Sequence, residues 1–421
     1  MQRRFTDDGN EFDRLILLGG AYRRLTDIGE VLVALDQVTD GDASSWVTTF
    51  SDLGERLEVE AAASAARGHD QSARSADLRA CSYFATAAAY AVGSLGPDAS
   101  TALWERHRSA WDRASARFHP PVEKLAIPYH DPVGHRDVEL EGYFFSPAPG
   151  TPVEGAAEGA AHGDRRPTVI FTNGSDGPIS DIWASGAAAA VERGWNAVTY
   201  DGPGQGAALY RQGLHFRHDW EAVLTPVVDH VLARGDVDPR RVAAHGVSQA
   251  GYWVPRALAF EHRLAAAVAD PGVTRVADSW IAHLPESMVG ILDGPDPVKS
   301  KSDFDAFMDI GMTADPAGGA ELRWRMAPFG TDSYFDAYQA ARAMRLDAAT
   351  AAQIGTPLLI TAPDGEQFWP GQSVEMHQLV PGSSLVAFTE GEGASWHCEP
   401  AAHGLRDERV MNWLAEVFAR A

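Results

Sequence analysis

The six residues Gly246-Val247-Ser248-Gln249-Ala250-Gly251 are the most informative segment of the chain. They follow a predicted strand and precede a predicted helix. Small residues two before and two after Ser248 let strand and helix approach closely around a strained turn, which exposes the serine hydroxyl. Because a serine hydroxyl is a poor nucleophile at neutral pH, a base must lie beside it. The alternative is an ordinary serine at a strand-to-helix turn. Pro255 departs from the pattern, since it should kink the helix or remove one of its hydrogen bonds.

The candidate base is His397, which belongs to the segment Glu392-Gly-Ala-Ser-Trp-His397-Cys398. This segment directly follows residues 384–388, the last predicted strand, where the histidine of such an arrangement is expected. A single histidine in a loop is more often incidental, and this chain has 15. Position relative to the final strand selects His397, and His403 is the competitor further along the chain.

The candidate acid lies after the preceding predicted strand, residues 357–361, in the loop 363–370. An acid in this place can orient the imidazole and stabilise the imidazolium that forms during catalysis. Glu366 is favoured because it stands four residues before Pro370. Asp364 remains the alternative, and the carboxylate that does not take this role would be a solvated turn residue.

The candidate oxyanion hole combines two backbone N–H groups, because a developing negative charge needs preorganised donors. The nucleophile turn offers the N–H of Gln249. The second donor is expected from the turn 173–177, which follows the predicted strand 168–172, and Ser175 is the candidate there. A turn with a purely structural role would have the same sequence character.

The chain divides into two predicted units that differ in their predicted secondary structure. Residues 1–120 contain no convincing strand, and their apolar residues recur at helical spacing, which predicts an N-terminal helical cap module. Residues 121–421 alternate short β-rich runs with amphipathic helices, which predicts an α/β domain with a mostly parallel sheet. Residues 124–129 and 138–145 are expected to open the sheet as an antiparallel pair. Residues 273–347 interrupt the alternation with helical sequence rich in methionine and aromatic residues, where a helical lid insertion is expected.

Two helix boundaries can also be predicted. Asp98 and Ser100 occupy the place of an N-cap before the helix that carries Trp104 and Trp111. The last helix of the chain is expected to begin at about Asp407.

Composition limits the classes of function. The 421 residues carry a net charge of −23 at pH 7, so nucleic acid and an anionic membrane surface would be repelled. Cys81 and Cys398 are too few for a disulfide framework, which favours a cytoplasmic protein. Residues 1–8 lack the apolar run of a signal peptide, and no stretch of about 18 uninterrupted apolar residues occurs. A small-molecule substrate is therefore the expected partner.

Two features that could indicate a cofactor or a metal are weak. The turn Asp201-Gly-Pro-Gly-Gln-Gly206 lacks the spacing of a dinucleotide-binding motif, and the chain contains no Gly-Lys-Ser/Thr phosphate loop. Cys398 lies next to His397, but no second Cys/His cluster accompanies the pair. We therefore expect a tight turn near the site, no cofactor and no metal.

Five segments together resemble the FrsA-like and 2,6-dihydroxypseudooxynicotine-hydrolase-like branch of the α/β-hydrolases, which includes fungal enzymes that shorten polyketides. The likeness covers most of residues 120–421, and the helical stretch around 75–90 is similar to the N-terminal module of that branch. The five segments are Asn173-Gly174-Ser175-Asp176-Gly177, Asp201-Gly-Pro-Gly-Gln-Gly206, Gly246-Val-Ser-Gln-Ala-Gly251, Glu366-Gln-Phe-Trp-Pro-Gly371 and Gly393-Ala-Ser-Trp-His-Cys398.

The resemblance implies an α/β-hydrolase fold whose mostly parallel sheet has eight strands and whose site is roofed by the N-terminal helices. It also implies a triad of Ser248, Glu366 and His397, and a homodimer. The expected reaction is hydrolysis of an ester, or of a carbon–carbon bond beside a ketone, in a mid-sized, partly apolar, polyketide-like or aromatic substrate. The alternatives are acyl transfer or cyclisation by the same triad, a peptidase, and a catalytically silent binding protein.

Overall fold

The computed structural model describes residues 3–155 and 165–421 of the chain, and eight strands in these residues form one sheet. The strands lie in the order β1-β2-β4-β3-β5-β6-β7-β8. β2 pairs antiparallel with β1 and with β4, and the other neighbours are parallel, which confirms the predicted eight-stranded, mostly parallel sheet. The bounds are β1 (Glu123–Asp131), β2 (Arg136–Phe145), β3 (Arg166–Thr172), β4 (Asn196–Tyr200), β5 (Val237–Val247), β6 (Ala266–Asp270), β7 (Leu358–Pro363) and β8 (Ser384–Phe388).

Helices precede the sheet, flank it, and fill the connection between β6 and β7. Among the described residues, no helix is both long enough and apolar enough to cross a membrane. The helices are α1 (Asp8–Gly20), α2 (Ile28–Leu35), α3 (Ala43–Ala65), α4 (Asp70–Ser94), α5 (Pro97–Ser115), α6 (Ala187–Glu192), α7 (Gly206–Tyr210), α8 (Glu221–Leu232), α9 (Ala250–Leu258), α10 (Asp278–Ile281), α11 (Glu286–Leu292), α12 (Pro297–Ala314), α13 (Pro316–Met326), α14 (Tyr334–Ala343), α15 (Ala348–Ala351), α16 (Gln372–Leu379) and α17 (His403–Phe418).

Two predicted helix starts are wrong by a few residues. α5 begins at Pro97, so Asp98 and Ser100 lie inside the helix and neither is its N-cap. The reason is that proline suits the first helical position, where no N–H is needed. Ser100 instead donates its hydroxyl to the backbone oxygen of Ala88, 2.8 Å away. The last helix, α17, begins at His403 rather than at about Asp407.

Pro255 is accommodated inside α9 without ending the helix. A proline at this position cannot donate to the backbone oxygen of Gly251, four residues earlier. The N–H of Val273 donates to that oxygen instead, at 3.3 Å. The loop after β6 therefore supplies the hydrogen bond that the proline removes.

The apolar core covers both faces of the sheet. One cluster of buried side chains joins the N-terminal helices to one sheet face and includes Trp46, Trp111 and Phe171. A second cluster covers the opposite face and includes Trp220 and Trp253, whose rings stack 4.2 Å apart. A third cluster lies within α11 to α14 and adjacent residues. Because the N-terminal helices share a core with the sheet, they are packed against it over a wide area.

A buried ion pair adds a polar connection between these helices and the sheet. Arg108 of α5 contacts Asp201, just after β4, with 2.7 Å between its guanidinium Nη1 and the carboxylate Oδ2. The two side chains are only 2% and 4% exposed. The second nitrogen of Arg108 contacts Glu141 of β2 at 3.0 Å. Removing one partner of such a pair leaves an uncompensated charge in the interior.

We therefore expect Arg108→Ala to lower the free energy of unfolding by about 3–5 kcal/mol, measured by urea denaturation. Arg420→Ala is the control, because Arg420 and Glu416 form a pair at 3.9 Å with side chains 70% and 73% exposed. The control should change stability by less than about 1 kcal/mol. Equal effects of the two substitutions would contradict a structural role for the buried pair.

Candidate active site

Ser248 lies at a sharp turn between β5 and α9, and its backbone is in the left-handed region with φ +58°. The two glycines that flank the turn are needed for close packing. A Cβ atom on Gly246 would lie 2.2 Å from the backbone oxygen of Ala250, and one on Gly251 would lie 1.8 Å from that of Pro271. Strand and helix therefore approach as the sequence predicts, and larger residues would force them apart.

Three predicted site residues meet at this turn. The Nε2 atom of His397 lies 2.8 Å from the hydroxyl oxygen of Ser248. Its Nδ1 atom lies 2.8 Å from Oε2 of Glu366. Because an ionised carboxylate can only accept, Nδ1 carries a proton and Nε2 is free to accept the serine hydroxyl. This is the geometry of a nucleophile, a base and an orienting acid.

Glu366 is held as an ionised carboxylate. Its Oε1 atom accepts hydrogen bonds from the backbone N–H groups of Phe368 and Trp369, at 2.9 and 3.1 Å. Burial alone raises the pKa of this carboxyl group, but the charge and hydrogen bond of His397 and the two N–H donors outweigh burial. The pKa of Glu366 is therefore below its ordinary value, which favours the charged form.

Two alternative site residues lie elsewhere. Asp364 is exposed, and its carboxylate accepts the backbone N–H of Glu390 at 3.2 Å rather than facing the imidazole. His403 is buried in the first turn of α17. In the part of the chain that the structure describes, neither side chain hydrogen bonds with Ser248 or His397. The structure thus assembles the site from Glu366 and His397.

The turn after β3 passes directly over the nucleophile. A Cβ atom on Gly174 would lie 2.6 Å from the Cβ atom of Ser248, so only glycine fits at this position. Ser175 follows Gly174 in the chain, and Gln249 follows Ser248. Within residues 3–155 and 165–421, the backbone N–H groups of Ser175 and Gln249 have no hydrogen-bond partner. Both candidate oxyanion donors are therefore available.

Gln205 is a site residue that sequence reasoning missed. Its side-chain Nε2 donates to the backbone oxygens of Asn173 and Gly174, at 2.7 and 2.8 Å. Its Oε1 accepts the N–H of Gly202 at 2.8 Å. Gln205, in the turn 201–206, thus supports the backbone of the turn 173–177, which carries the candidate oxyanion donor Ser175 and is called the oxyanion turn below. The only sequence signal was a polar side chain between glycines in a tight turn.

Phe12, on α1, brings the N-terminal helices to the site. Its ring centroid lies 6.2 Å from that of His397, 5.8 Å from that of Phe368 and 6.2 Å from that of Trp396. Phe12 belongs to residues 1–120, for which the sequence predicted only helices. Its place beside the imidazole shows that the first helix forms part of the active-site wall.

The chain resembles fungal hydrolases over its whole length. It is 26% identical to "20-hydroxy-prefusarin hydrolase FUS2" of Gibberella moniliformis, over 100% of this chain and 99% of the relative. It is 31% identical to "Alpha/beta hydrolase psoB" of Aspergillus fumigatus, over 62% of this chain and 58% of the relative. No family model matches the chain.

Solved structures agree on the fold. The crystal structure of 2,6-dihydroxy-pseudo-oxynicotine hydrolase matches with a TM-score of 0.67 and 20% identity, over 95% of each chain. The structure of AbyA5 matches with a TM-score of 0.60 and 18% identity, over 98% of this chain and 99% of that one. The chain has the α/β-hydrolase fold. The resemblance inferred from the five sequence segments is confirmed.

Cys398 lies next to His397, but its side chain contacts the backbone behind the nucleophile turn. Its thiol donates to the backbone oxygen of Asp270 at 3.2 Å, and burial raises the pKa of the thiol well above its usual value. The same oxygen accepts the N–H of Ser248 at 2.6 Å. Cys398 therefore supports the turn as a neutral thiol.

The described residues contain no group of three or more His, Cys, Asp or Glu side chains arranged to hold a metal ion.

The close approach of Gly174 to Ser248 can be tested. We expect Gly174→Ala to lower kcat/KM for 4-nitrophenyl butyrate by about a hundredfold, because the new methyl group displaces the nucleophile or the oxyanion turn. Gly235→Ala is the matched control, since a Cβ atom there would meet nothing within 4 Å. An unchanged rate in folded Gly174→Ala protein would contradict the close approach.

Proposed function

We propose that this protein is a serine hydrolase that cleaves an ester, or a carbon–carbon bond beside a ketone. The observation that carries the proposal is the continuous hydrogen-bonded path from Ser248 through His397 to Glu366, with 2.8 Å at both steps. A strained serine, a base and an ionised acid in this order form the arrangement that activates a hydroxyl as a nucleophile.

The reaction would proceed in two stages. His397 takes the hydroxyl proton through Nε2 while the oxygen of Ser248 attacks the carbonyl carbon. The N–H groups of Gln249 and Ser175 stabilise the resulting oxyanion, and Glu366 stabilises the imidazolium. The imidazolium of His397 gives this proton to the leaving group, which departs and leaves an acyl-serine and a neutral imidazole. Water activated by His397 then attacks the acyl group and restores Ser248.

A mid-sized, partly apolar or aromatic substrate fits the surroundings of His397. The rings of Phe12, Phe368 and Trp369 all lie within 6.2 Å of the imidazole, measured between centroids. Such walls favour apolar and aromatic ligands. The name of the relative "20-hydroxy-prefusarin hydrolase FUS2" supports a natural-product substrate of this kind. We propose a polyketide-like compound.

Ser248 should react with a fluorophosphonate probe in the folded protein, because the triad activates its hydroxyl. Peptide mass spectrometry would locate the label, and Ser248→Ala protein is the control that must remain unlabelled. Hydrolysis of aryl esters should disappear in the same variant. Absence of labelling in folded wild-type protein would favour a catalytically silent binding protein instead.

The two carboxylates of the loop 363–370 should differ sharply in their effect on catalysis. Glu366→Gln should lower kcat for an aryl ester by about 10³–10⁴-fold, since an amide cannot hold the imidazole in the required tautomer. Asp364→Asn is the matched control and should change kcat by less than about twofold, because Asp364 is exposed and bonded elsewhere. The reverse result would transfer the acid role to Asp364.

Homodimer formation and a cytoplasmic location stay predictions from the resemblance and from the cysteine content. Size-exclusion chromatography with light scattering would measure the oligomeric state directly. A monomer at micromolar concentration would contradict the first of the two.

A further inference from the structure

The helical connection between β6 and β7 leaves the sheet and returns to it through two adjacent segments, 274–276 and 344–346. An antiparallel bridge and two backbone hydrogen bonds join these segments, and we call the pair the insertion stem. Both segments contain buried residues, so the stem belongs to the interior of the protein. The two bonds run from the N–H of Val276 to the oxygen of Met344, at 3.0 Å, and from the N–H of Leu346 to the oxygen of Thr274, at 2.8 Å.

The side chain of Gln372, the first residue of α16, holds the first segment of the stem. Its Oε1 atom accepts the backbone N–H groups of Thr274 and Arg275, at 2.8 and 2.9 Å. Its Nε2 atom donates to the backbone oxygen of Arg275 at 3.2 Å and to Oδ2 of Asp278 at 2.9 Å. Because Gln372 lies only six residues after Glu366, the stem is fixed to the segment that carries the candidate acid.

Trp369 connects the insertion stem to the candidate acid through two hydrogen bonds. Its indole N–H donates to the backbone oxygen of Val276 at 3.1 Å. Its backbone N–H donates to Oε1 of Glu366, also at 3.1 Å. Its ring centroid lies 5.5 Å from that of His397, and the residue is buried. One residue therefore contacts the stem, the acid and the base.

The second segment of the stem contacts the other half of the site. The side-chain Nε2 of Gln249 donates to the sulfur atom of Met344 at 3.8 Å. Gln249 directly follows Ser248 and carries one of the two candidate oxyanion N–H groups. The stem thus touches the residue beside the nucleophile on one side and the loop of the acid on the other.

The orientation of the Glu366 carboxylate depends on the place of Trp369. Oε1 accepts the N–H groups of Phe368 and Trp369, which leaves Oε2 to face Nδ1 of His397 at 2.8 Å. An indole has a single N–H donor, and a buried indole requires a partner for it. The bond to Val276 therefore fixes the Trp369 ring, and with it the backbone N–H that holds Oε1.

We propose that Trp369 is a positioning residue that couples the insertion stem to Glu366, and thereby holds His397 in the arrangement that activates Ser248. The inference rests on the proposed serine hydrolase function. It deepens that function, because it makes the insertion between β6 and β7 a part of the catalytic arrangement.

The first test removes only the indole donor. Trp369→Phe keeps a ring beside His397 and keeps the backbone N–H to Glu366. We expect kcat for 4-nitrophenyl butyrate to fall about tenfold, as for the loss of one hydrogen bond that holds the site, while KM changes by less than about twofold.

Trp195→Phe is the matched control. The indole of Trp195 is also buried and also donates to a backbone oxygen, that of Glu154, at 2.9 Å. Trp195 directly precedes β4, so it lies at the amino end of the parallel strands, whereas Ser248 follows the carboxyl end of β5. The control should change kcat by less than about twofold.

A double-mutant cycle separates positioning of the acid from substrate contact and from general packing. With Glu366 present, Trp369→Phe should slow fluorophosphonate labelling of Ser248 about tenfold. In Glu366→Gln protein the same change should alter the labelling rate by less than about twofold, because the acid that Trp369 positions is gone. A tenfold loss in both backgrounds would overturn the proposal.

Gln372→Leu tests the stem through a second residue. This change removes the bonds that fix residues 274 and 275 and should lower kcat at least about fivefold, again only where Glu366 is present. Urea denaturation identifies the variants that fold. An unchanged kcat in folded Trp369→Phe or folded Gln372→Leu protein would also contradict the coupling. Failure of the serine hydrolase function itself is distinguishable, because wild-type protein would then neither take the fluorophosphonate label nor hydrolyse the ester.

Discussion

The backbone of Ser248 is the constraint on which the rest of the site depends. A non-glycine residue in the left-handed region costs about 1–3 kcal/mol and persists only where the surroundings hold it. Here the N–H of Ser248 donates to the backbone oxygen of Asp270 at 2.6 Å, and its own oxygen accepts the N–H of Gly251 at 2.7 Å. The contacts that Gly246 and Gly251 make leave no room for the turn to relax. The serine hydroxyl is consequently presented to His397 by the packing of β5, β6 and α9.

The turn 201–206 contacts both the N-terminal helices and the backbone of the turn 173–177. Asp201 at its start receives Arg108 from α5, and Gln205 near its end holds the backbone of the oxyanion turn. A Cβ atom on Gly206 would lie 2.4 Å from the Asp201 carboxylate, so the turn closes tightly on itself. The N-terminal helices and the turn 173–177 therefore both contact this one short segment. Movement of α5 would be transmitted through it to the backbone of that turn.

Local features of the fold could be predicted from sequence, and features set by tertiary contacts could not. Strand β8 has the predicted bounds, 384–388, because it is a short apolar run between clear turns. The nucleophile turn was visible because its glycines lie within six residues. The start of α5 was misplaced because Pro97 competed with Asp98 as the signal for a helix start.

Prediction of the site from sequence was limited in the same way, because its side chains are placed by tertiary contacts. Sequence favoured Glu366 over Asp364 by spacing alone, since the direction of each side chain depends on contacts made after folding. Gln205 and Phe12 were not recognisable, because each reaches the site from a part of the chain remote from Ser248. A periodicity pattern reports that a residue is buried, but it carries no information about which residue it is buried against.

The pKa values of two carboxyl groups of this chain are shifted in opposite directions by their surroundings. Burial raises the pKa of both Glu366 and Asp13. At Glu366 the imidazole and two backbone N–H groups outweigh burial, so the group stays charged and orients His397. At Asp13 a single phenol hydroxyl and a partly solvated arginine oppose burial, and two further carboxylates add to it. Environment rather than residue type therefore decides which carboxyl group is held in its charged form.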